Sequence, residues 1–360
     1  MKTNPLLAIK ALGQHVWLDN LSRSLLEEGT LQSLITDDGI DGVTSNPSIF
    51  QKVIASSPYY RADVERLRDT PLAAEVRYEA LVIPDVQAAC DMLWPSFVAS
   101  RGDAGYVSLE VSPALAHDVA GTVAAARRLQ EAVGRDNLLI KVPATPAGII
   151  AFEQLTATGM SVNVTLIFSL DQYEAVAQAY LRGAHAWWRG GKNMRQLRSV
   201  ASVFLSRVDT LIDQRLAALD RPAALALKGK AGLALAKCCY RRYLEIFHGA
   251  DFAQLRAAGI RPQSLLWAST GTKNPASSDV FFVEPLIGRE TITTLPDATL
   301  AAFRTHGQVA ETLLIGIEQA LAVKQQLAEQ GIDLAEIGST LQHEGVLLFA
   351  QAYTELLGSV

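Results

Sequence analysis

The sequence predicts an α/β fold in which a single (β/α)8 barrel of the TIM type carries additional helices. Short β-rich runs alternate with segments of helical period, which is typical of a parallel sheet with helices outside it. There are eight such runs, the number at which a parallel sheet closes into a barrel. No Pro- or Ser-rich linker divides the 360 residues into two halves.

The first run, VWLD, is the weakest, because its four residues would not be read as a strand without the other seven. The runs cover residues 16–19, 41–48, 106–112, 137–143, 161–169, 199–209, 264–270 and 291–296. The chain exceeds the roughly 250 residues typical of this fold. The surplus is helical in pattern, so we expect one domain over 1–360 with helical insertions around 55–100 and 212–258 and a helical C-terminal region at 299–360.

The composition argues against several classes of protein. A net charge of −5 speaks against nucleic-acid and acidic-membrane binding, which need a basic face. No run of eighteen apolar residues occurs and no secretory h-region follows Met1, so we expect a cytoplasmic protein without a membrane span. The three cysteines form no C-x-x-C pair and are expected to be reduced. A monomer and a homodimer are both compatible with the sequence.

Polar side chains lie in or directly after seven of the eight runs, among apolar neighbours. In a parallel barrel, the C-terminal strand ends and the loops that follow them carry the functional groups. Buried charges need partners, so packing alone does not explain the whole set. The set consists of Asp19, Thr44, Ser45, Asn46, Glu110, Lys141, Asn163, Thr165, Ser202, Arg207, Ser269 and Thr270.

Lys141 is the most informative of these residues, because it stands inside the apolar run NLLIKVP, where an ammonium ion is costly to bury. The lysines at 228, 230 and 237 belong to a helical stretch and are expected to be solvated. Simpler explanations exist for single residues: Lys141 could snorkel from a strand end, and Asp19 could cap the next helix. Glu110 could pair with a buried arginine. Taken together, these explanations require a different cause for each strand, although all of the residues lie at the same end of the predicted barrel.

A buried amine beside carboxylates has a specific chemistry. With a reference pKa of about 10.4, a lysine side chain is almost wholly protonated at neutral pH. Burial among apolar neighbours lowers the pKa and so favours the uncharged, nucleophilic amine. That amine condenses with a ketone to a Schiff base, whose iminium accepts electrons when an adjacent C–C bond breaks. Asp19 and Glu110 are available to move protons, and Arg207 offers a fork of donors to a phosphate.

Rival chemistries have less support. The six histidines show no H-E-x-x-H spacing, and no G-x-x-x-x-G-K-[ST] or G-x-G-x-x-G follows a strand. We therefore expect neither a zinc site nor a nucleotide site. The segment STGTKNP at 269–275 has the composition of an anion-binding loop, and pyridoxal phosphate on a strand lysine stays open.

Seven segments resemble those of transaldolases, and they cover nearly the whole chain. GVTSNPSIF, LLIKVPATPAG, VNVTLIFS, SVFLSRVD and LLWASTGTKNP occur in the order found in that family, with VWLDNLSR and YVSLEVSP in the other two positions. The closest similarity is to the longer bacterial branch. The resemblance implies a class I aldolase-type barrel of the pentose phosphate pathway that uses no metal and no coenzyme as cofactor.

Such enzymes transfer a dihydroxyacetone unit from sedoheptulose 7-phosphate to glyceraldehyde 3-phosphate, giving erythrose 4-phosphate and fructose 6-phosphate. The resemblance implies that Lys141 is the Schiff-base lysine and that Asp19 is the general acid/base for C–C cleavage. Glu110 with Thr165 manages the catalytic water in this scheme. The resemblance implies that Asn46 and Asn163 bind the dihydroxyacetone hydroxyls, that Ser202 lines the site and that Arg207 holds the phosphate. From their position at the strand ends, Thr44, Ser45 and Ser269 are also expected to bind substrate. A fructose-6-phosphate-type aldolase and a non-catalytic sugar-phosphate-binding barrel are the alternatives.

The sequence departs from the shorter members of the family at one position. They carry an arginine two residues after the serine that aligns with Ser269, and Gly271 stands there in this chain. The nearest cation is Lys273. Either Lys273 replaces the missing phosphate contact as a point charge, or Arg207 and backbone donors hold the phosphate alone.

Overall fold

The computed structural model describes residues 4–191, 197–274 and 276–360. Eight parallel strands close into a barrel in chain order, and the first strand pairs with the eighth. The predicted (β/α)8 barrel is confirmed, and each predicted run overlaps one strand, although the first strand begins at Gln14, before the run at 16–19. The strands are β1 (Gln14–Leu18), β2 (Gly42–Thr44), β3 (Tyr106–Glu110), β4 (Leu138–Pro143), β5 (Val162–Ile167), β6 (Ser199–Phe204), β7 (Ser264–Ala268) and β8 (Thr291–Leu295).

Helices surround the barrel and fill the long connections between strands. None of those in the described ranges is long and apolar enough to cross a membrane. The α-helices of the described residues are α1 (Pro5–Ala11), α2 (Arg23–Glu27), α3 (Thr30–Asp37), α4 (Pro47–Ser56), α5 (Pro58–Arg68), α6 (Ala74–Ala99), α7 (Val119–Val133), α8 (Pro146–Thr156), α9 (Leu170–Arg189), α10 (Ser206–Leu219), α11 (Pro222–Leu225), α12 (Ala231–Phe247), α13 (Ala250–Ala257), α14 (Asp297–His306), α15 (Ile317–Glu329) and α16 (Leu334–Ser359).

The sixth predicted run extends too far. β6 ends at Phe204 and α10 begins at Ser206, so Arg207 lies in the first turn of a helix and not in a strand. Val208, Ile212 and Leu216 are buried along one face of that helix at a spacing of four residues, which is a helical and not a strand period.

Side chains of the strands alternate between two apolar layers, as the period of two requires. Val16, Ile140 and Leu265 belong to the larger layer that includes the outer helices. Trp17 and Leu139 belong to a second cluster, which fills the barrel with Leu266 and Ile292.

The indole of Trp17 also explains the glycine at the start of β2. A Cβ atom at Gly42 would lie 2.4 Å from the ring, so only glycine fits there.

The lysine of α12 at position 237 is buried, so the prediction that it is solvated is wrong. Only 9% of Lys237 is exposed, whereas Lys228 and Lys230 are exposed as expected. Its Nζ lies within 2.8–3.3 Å of four backbone carbonyl oxygens, those of Pro285, Thr312, Leu313 and Ile315. The ammonium therefore ties α12 to the segment that precedes α15.

A charged network closes the end of the barrel opposite to the C-terminal strand ends. His15 of β1 lies between two carboxylates, with its Nδ1 2.8 Å from Asp41 Oδ2 and its Nε2 3.3 Å from Asp103 Oδ2. Arg198 and Lys10 add ion pairs to Asp103 and Asp41, at 3.2 Å each. Burial alone would lower the pKa of His15, but the two carboxylates raise it to about 9.

Candidate active site

Three predicted site residues are direct neighbours across the barrel wall. Glu110 on β3 is in register with Lys141 on β4, and Lys141 is in register with Asn163 on β5. All three follow the alternation that places Trp17 and Leu139 inside the barrel, so their side chains belong to its interior. The sequence therefore places an amine between a carboxyl group and an amide near the C-terminal ends of the strands.

The side chain of Lys141 is enclosed by the barrel. Only 5% of the residue is exposed, which excludes the explanation that it snorkels into bulk solvent. Its Nζ donates a hydrogen bond of 3.0 Å to the carbonyl oxygen of Ser45 and lies 3.9 Å from Glu110 Oε1. The amine thus has one fixed neutral acceptor and one carboxylate within reach, and its position is set by the loop after β2.

Glu110 is the buried acid of the site. Burial raises the pKa of Glu110 to about 7; the positive charge of Lys141 opposes this rise and the negative charge of Asp19 adds to it. Its Oε2 atom makes no hydrogen bond within the described residues, and neither does Thr165 Oγ1 on β5. Glu110 therefore exchanges a proton near neutral pH, and two polar atoms near the amine remain open to a bound molecule.

Asp19 comes directly after β1 and is held by the neighbouring strands. Its backbone N–H donates to the carbonyl of Leu295 at 2.9 Å, and Thr44 Oγ1 donates to its Oδ1 at 2.9 Å. Thr294 Oγ1 lies 2.9 Å from Thr44 Oγ1 and supports it in turn. Burial raises the pKa of Asp19, whereas Lys141 and the Thr44 hydrogen bond lower it. The N-cap of α2 is Ser22, so Asp19 is not a helix cap.

Lys141 and Asp19 open onto one cavity of about 220 Å³ at the C-terminal ends of the strands, whereas Glu110 lines a separate, much smaller cavity that also borders Phe349. A larger cavity of about 490 Å³, between α9, α10, α12 and α15, contains none of the predicted site residues. The cavity of about 220 Å³ is lined by Asp19, Thr44, Asn46, Ser48, Ile49, Lys52, Lys141, Thr165, Ser202, Phe204, Arg207, Leu266, Ala268, Ser269, Thr294 and Phe349.

The far side of this cavity carries hydrogen-bond donors. Asn46 caps α4 through its Oδ1, which accepts from the N–H of Ile49 at 3.1 Å, and its amide nitrogen has no partner among the described residues. Arg207 stacks over Phe204, with 5.7 Å between Cζ and the ring centre. No hydrogen bond or ion pair to a described residue engages its guanidinium. An amide donor and a guanidinium thus face a cavity that also holds an amine and a carboxylate.

Comparison with known proteins assigns the chain to a family. The sequence model of one family, Transaldolase/Fructose-6-phosphate aldolase, matches residues 16–360. The chain belongs to this family. The transaldolase of Thiobacillus denitrificans is 53% identical over 352 residues, which cover 98% of both chains. The transaldolase of Neisseria gonorrhoeae is 45% identical over 349 residues and 97% of both chains, and transaldolase 2 of Nostoc sp. is 41% identical over 371 residues, 100% of this chain and 97% of the relative.

Membership of the transaldolase family agrees with the sequence resemblance, yet not every predicted site residue lines the cavity. The amide of Asn163 donates to Ser108 Oγ at 3.2 Å and accepts from Ser202 Oγ at 2.7 Å, so it lies one layer deeper. The Ser45 hydroxyl donates to the Ser108 carbonyl, and only its own carbonyl reaches Lys141.

The predicted anion-binding loop is divided between two places. Ser269 lines the cavity that contains Lys141, with its hydroxyl 2.7 Å from that of Ser206. Lys273 lines a separate small cavity together with Asp209 and Asp213. Thr270 donates to the carbonyl of Thr294 at 2.7 Å and does not line the cavity that contains Lys141. Pro275 lies outside the described residues.

The C-terminal helix contributes residues that sequence reasoning missed. Phe349 of α16 lines the cavity, and Gln342 Nε2 donates to the carbonyls of Ala144 and Leu166, at 2.7 and 3.3 Å. Leu166 has a positive φ of 61° at the point where the register between β5 and β6 shifts. The hydrogen bond from Gln342 places α16 over this irregular part of the strand. Nothing local in the sequence links these residues to strand ends almost two hundred positions earlier. Thr294 was also missed, although it lies two residues after Ile292, on the inward face of β8.

Proposed function

We propose that this chain is a transaldolase that moves a dihydroxyacetone unit between sugar phosphates through a Schiff base on Lys141. The proposed reaction takes sedoheptulose 7-phosphate and glyceraldehyde 3-phosphate to erythrose 4-phosphate and fructose 6-phosphate. The observation that carries the proposal is the enclosed Lys141 Nζ, 3.9 Å from Glu110 and in a cavity shared with Asp19. Family membership over residues 16–360 supports it independently.

Formation of the imine needs a proton on the departing hydroxyl. The neutral Nζ of Lys141 adds to the ketone carbonyl and gives a carbinolamine. Glu110 then protonates the carbinolamine hydroxyl, which leaves as water, and the nitrogen lone pair forms the iminium. A pKa of about 7 lets Glu110 supply this proton near neutral pH and take one back when water returns. Thr165 Oγ1, which has no partner among the described residues, is available to hold that water.

Cleavage of the C–C bond needs a base at the hydroxyl next to it. Asp19 removes the proton of that hydroxyl, the C–C electron pair moves into the iminium as an enamine, and the shortened aldose phosphate leaves. The enamine then attacks the aldehyde carbon of the acceptor, and Asp19 returns its proton to the new alkoxide. Hydrolysis of the iminium through Glu110 releases the product and regenerates the amine.

The remaining cavity residues are proposed to hold the substrate. The free amide nitrogen of Asn46 donates to a hydroxyl of the dihydroxyacetone unit, and Ser202 and Ser269 contact substrate oxygens. Arg207 binds the phosphate, because its guanidinium lines the same cavity and lacks an acidic partner within ion-pair distance among the described residues. Phe349 shields this end from bulk water.

The test is to trap the intermediate. Borohydride reduction in the presence of fructose 6-phosphate is expected to leave a stable adduct on the peptide that contains Lys141, and Lys141→Ala is expected to remove both adduct and activity. An unmodified peptide, or full activity in the variant, contradicts the mechanism. With sedoheptulose 7-phosphate as the donor, an aldolase that releases free dihydroxyacetone would turn over equally fast with and without glyceraldehyde 3-phosphate, whereas we expect the acceptor to accelerate turnover strongly.

A further inference from the structure

The phosphate end of the cavity lacks the second guanidinium of the shorter relatives. Gly271 occupies that position, and a Cβ atom there would lie 3.7 Å from Pro296 Cγ and 3.8 Å from Thr299 Oγ1. Position 271 therefore faces the start of α14. Lys273 lines another cavity, of about 50 Å³, together with Asp209 and Asp213. Neither residue supplies a cation to the cavity that contains Lys141.

The structure places another cation there. Lys52 lies on α4, four residues after Ser48, so the two side chains share one face of the helix. Both line the cavity that contains Lys141, as does Arg207. The ammonium of Lys52 makes no hydrogen bond or ion pair with any described residue. The acidic group that acts most on Arg207 is Glu344 of α16, and it forms no ion pair with it. Two cations that have no acidic partner within the described part of the chain thus border one cavity.

We propose that Lys52 binds the phosphate of the substrate together with Arg207 and so selects phosphorylated acceptors. This inference rests on the proposed transaldolase function. A phosphate ester carries a charge of about −1.5 to −2 at pH 7, which one guanidinium does not neutralise. Lysine is a point charge on a flexible four-carbon stem, so it can follow phosphates of sugars that differ in length. A donor and an acceptor of different lengths need this adaptability at the same end of the site.

The experiment compares acceptors with and without a phosphate. With saturating sedoheptulose 7-phosphate, Lys52→Gln is expected to raise the KM for glyceraldehyde 3-phosphate about tenfold, the loss of one charge-assisted contact. The kcat/KM for unphosphorylated D-glyceraldehyde should stay at the wild-type value, and Lys52→Arg should restore most of the affinity. Lys324→Gln, which changes an exposed lysine on α15, serves as the matched control.

Calorimetric titration with inorganic phosphate gives a readout that does not depend on turnover. Lys52→Gln should weaken phosphate binding about tenfold, and Lys273→Gln should leave it unchanged. The proposal is overturned if Lys52→Gln binds phosphate as wild type does, if it impairs both acceptors equally, or if Lys273→Gln produces the phosphate-specific loss. Absence of a borohydride adduct on wild-type Lys141 would refute the proposed function instead, and the calorimetric result for Lys52 would still stand.

Discussion

Glu110 and Lys141 face each other in register across β3 and β4, with 3.9 Å between the carboxylate oxygen and the amine nitrogen. The pair joins an acid whose pKa burial raises to about 7 with the amine that we propose forms the Schiff base. An acid that titrates near neutral pH is suited both to protonate a leaving hydroxyl and to accept a proton from water.

The first prediction concerns this acid. Glu110→Gln keeps the size of the side chain but removes its proton, so kcat should fall about 100-fold or more, as expected for loss of a general acid. The limb of the kcat profile near pH 7 should disappear, because the group that titrates there is gone. Steady-state rates between pH 5 and 9 measure both effects, and Glu153→Gln on α8 is the control. A variant that keeps the limb assigns it to another group.

The second prediction concerns the hydroxyl that supports Asp19. Thr44→Val removes the 2.9 Å hydrogen bond to Asp19, and that hydrogen bond lowers the pKa of the carboxyl group. The pKa of Asp19 should therefore rise, so the base stays protonated to a higher pH and the acid limb of kcat moves upward. We expect a fall in kcat of about tenfold at neutral pH, in line with a hydrogen bond to a charged group.

Borohydride trapping separates this effect from a general loss of the site. The Thr44→Val variant should still form the adduct on Lys141, since imine formation depends on Glu110. Thr354→Val, an exposed threonine on α16, is the matched control. Loss of the adduct would mean that Thr44 acts on the amine and not through Asp19.

The third prediction concerns the buried lysine of α12. Lys237→Met fills a similar volume but leaves four carbonyl oxygens without their donor, so the free energy of unfolding should fall by about 2–3 kcal/mol. Amide hydrogen exchange should increase most in residues 307–316. Urea unfolding measures the loss, with Lys228→Met as the exposed counterpart. Equal unfolding midpoints for the two variants would show that the ammonium contributes little.

The fourth prediction concerns the pH dependence of stability. The pKa of His15 is raised from 6.5 to about 9 in the folded state, so the stabilisation is complete below pH 6.5 and is lost as the pH rises through 9. His15→Gln should therefore destabilise the protein by about 3 kcal/mol at most at pH 6 and by much less at pH 9.5. Urea midpoints at four pH values test this, and a difference that stays constant with pH would contradict it.

Much of the barrel and its chemistry could be predicted, because both follow from local patterns. The eight β-rich runs predicted the closed barrel, and the polar residues in them were expected near the C-terminal strand ends, where the structure places Glu110, Lys141 and Thr165. Arg207 was assigned to a strand because the apolar residues before it continue the β pattern, although a helix starts at Ser206. Such a boundary depends on tertiary packing more than on composition.

Other features depended on contacts between distant parts of the chain. Lys237 looks like a solvated helix residue until the segment around Thr312 folds over it. Asn163 was expected to contact the substrate, but its amide also hydrogen-bonds to Ser108 of β3 and Ser202 of β6, which the sequence alone does not show. Lys52 has no distinguishing local pattern, and only the shape of the cavity relates it to Arg207.

The position of α16 has a consequence for biosynthesis. The last strand, β8, ends at Leu295, so a nascent chain can close its barrel while α16 is still inside the ribosome. At that stage Phe349 does not yet line the cavity, and Gln342 does not yet donate hydrogen bonds to the carbonyls of Ala144 and Leu166. Closure of the barrel and completion of the cavity around Lys141 can therefore be separate steps during translation, because the second step needs α16 to dock.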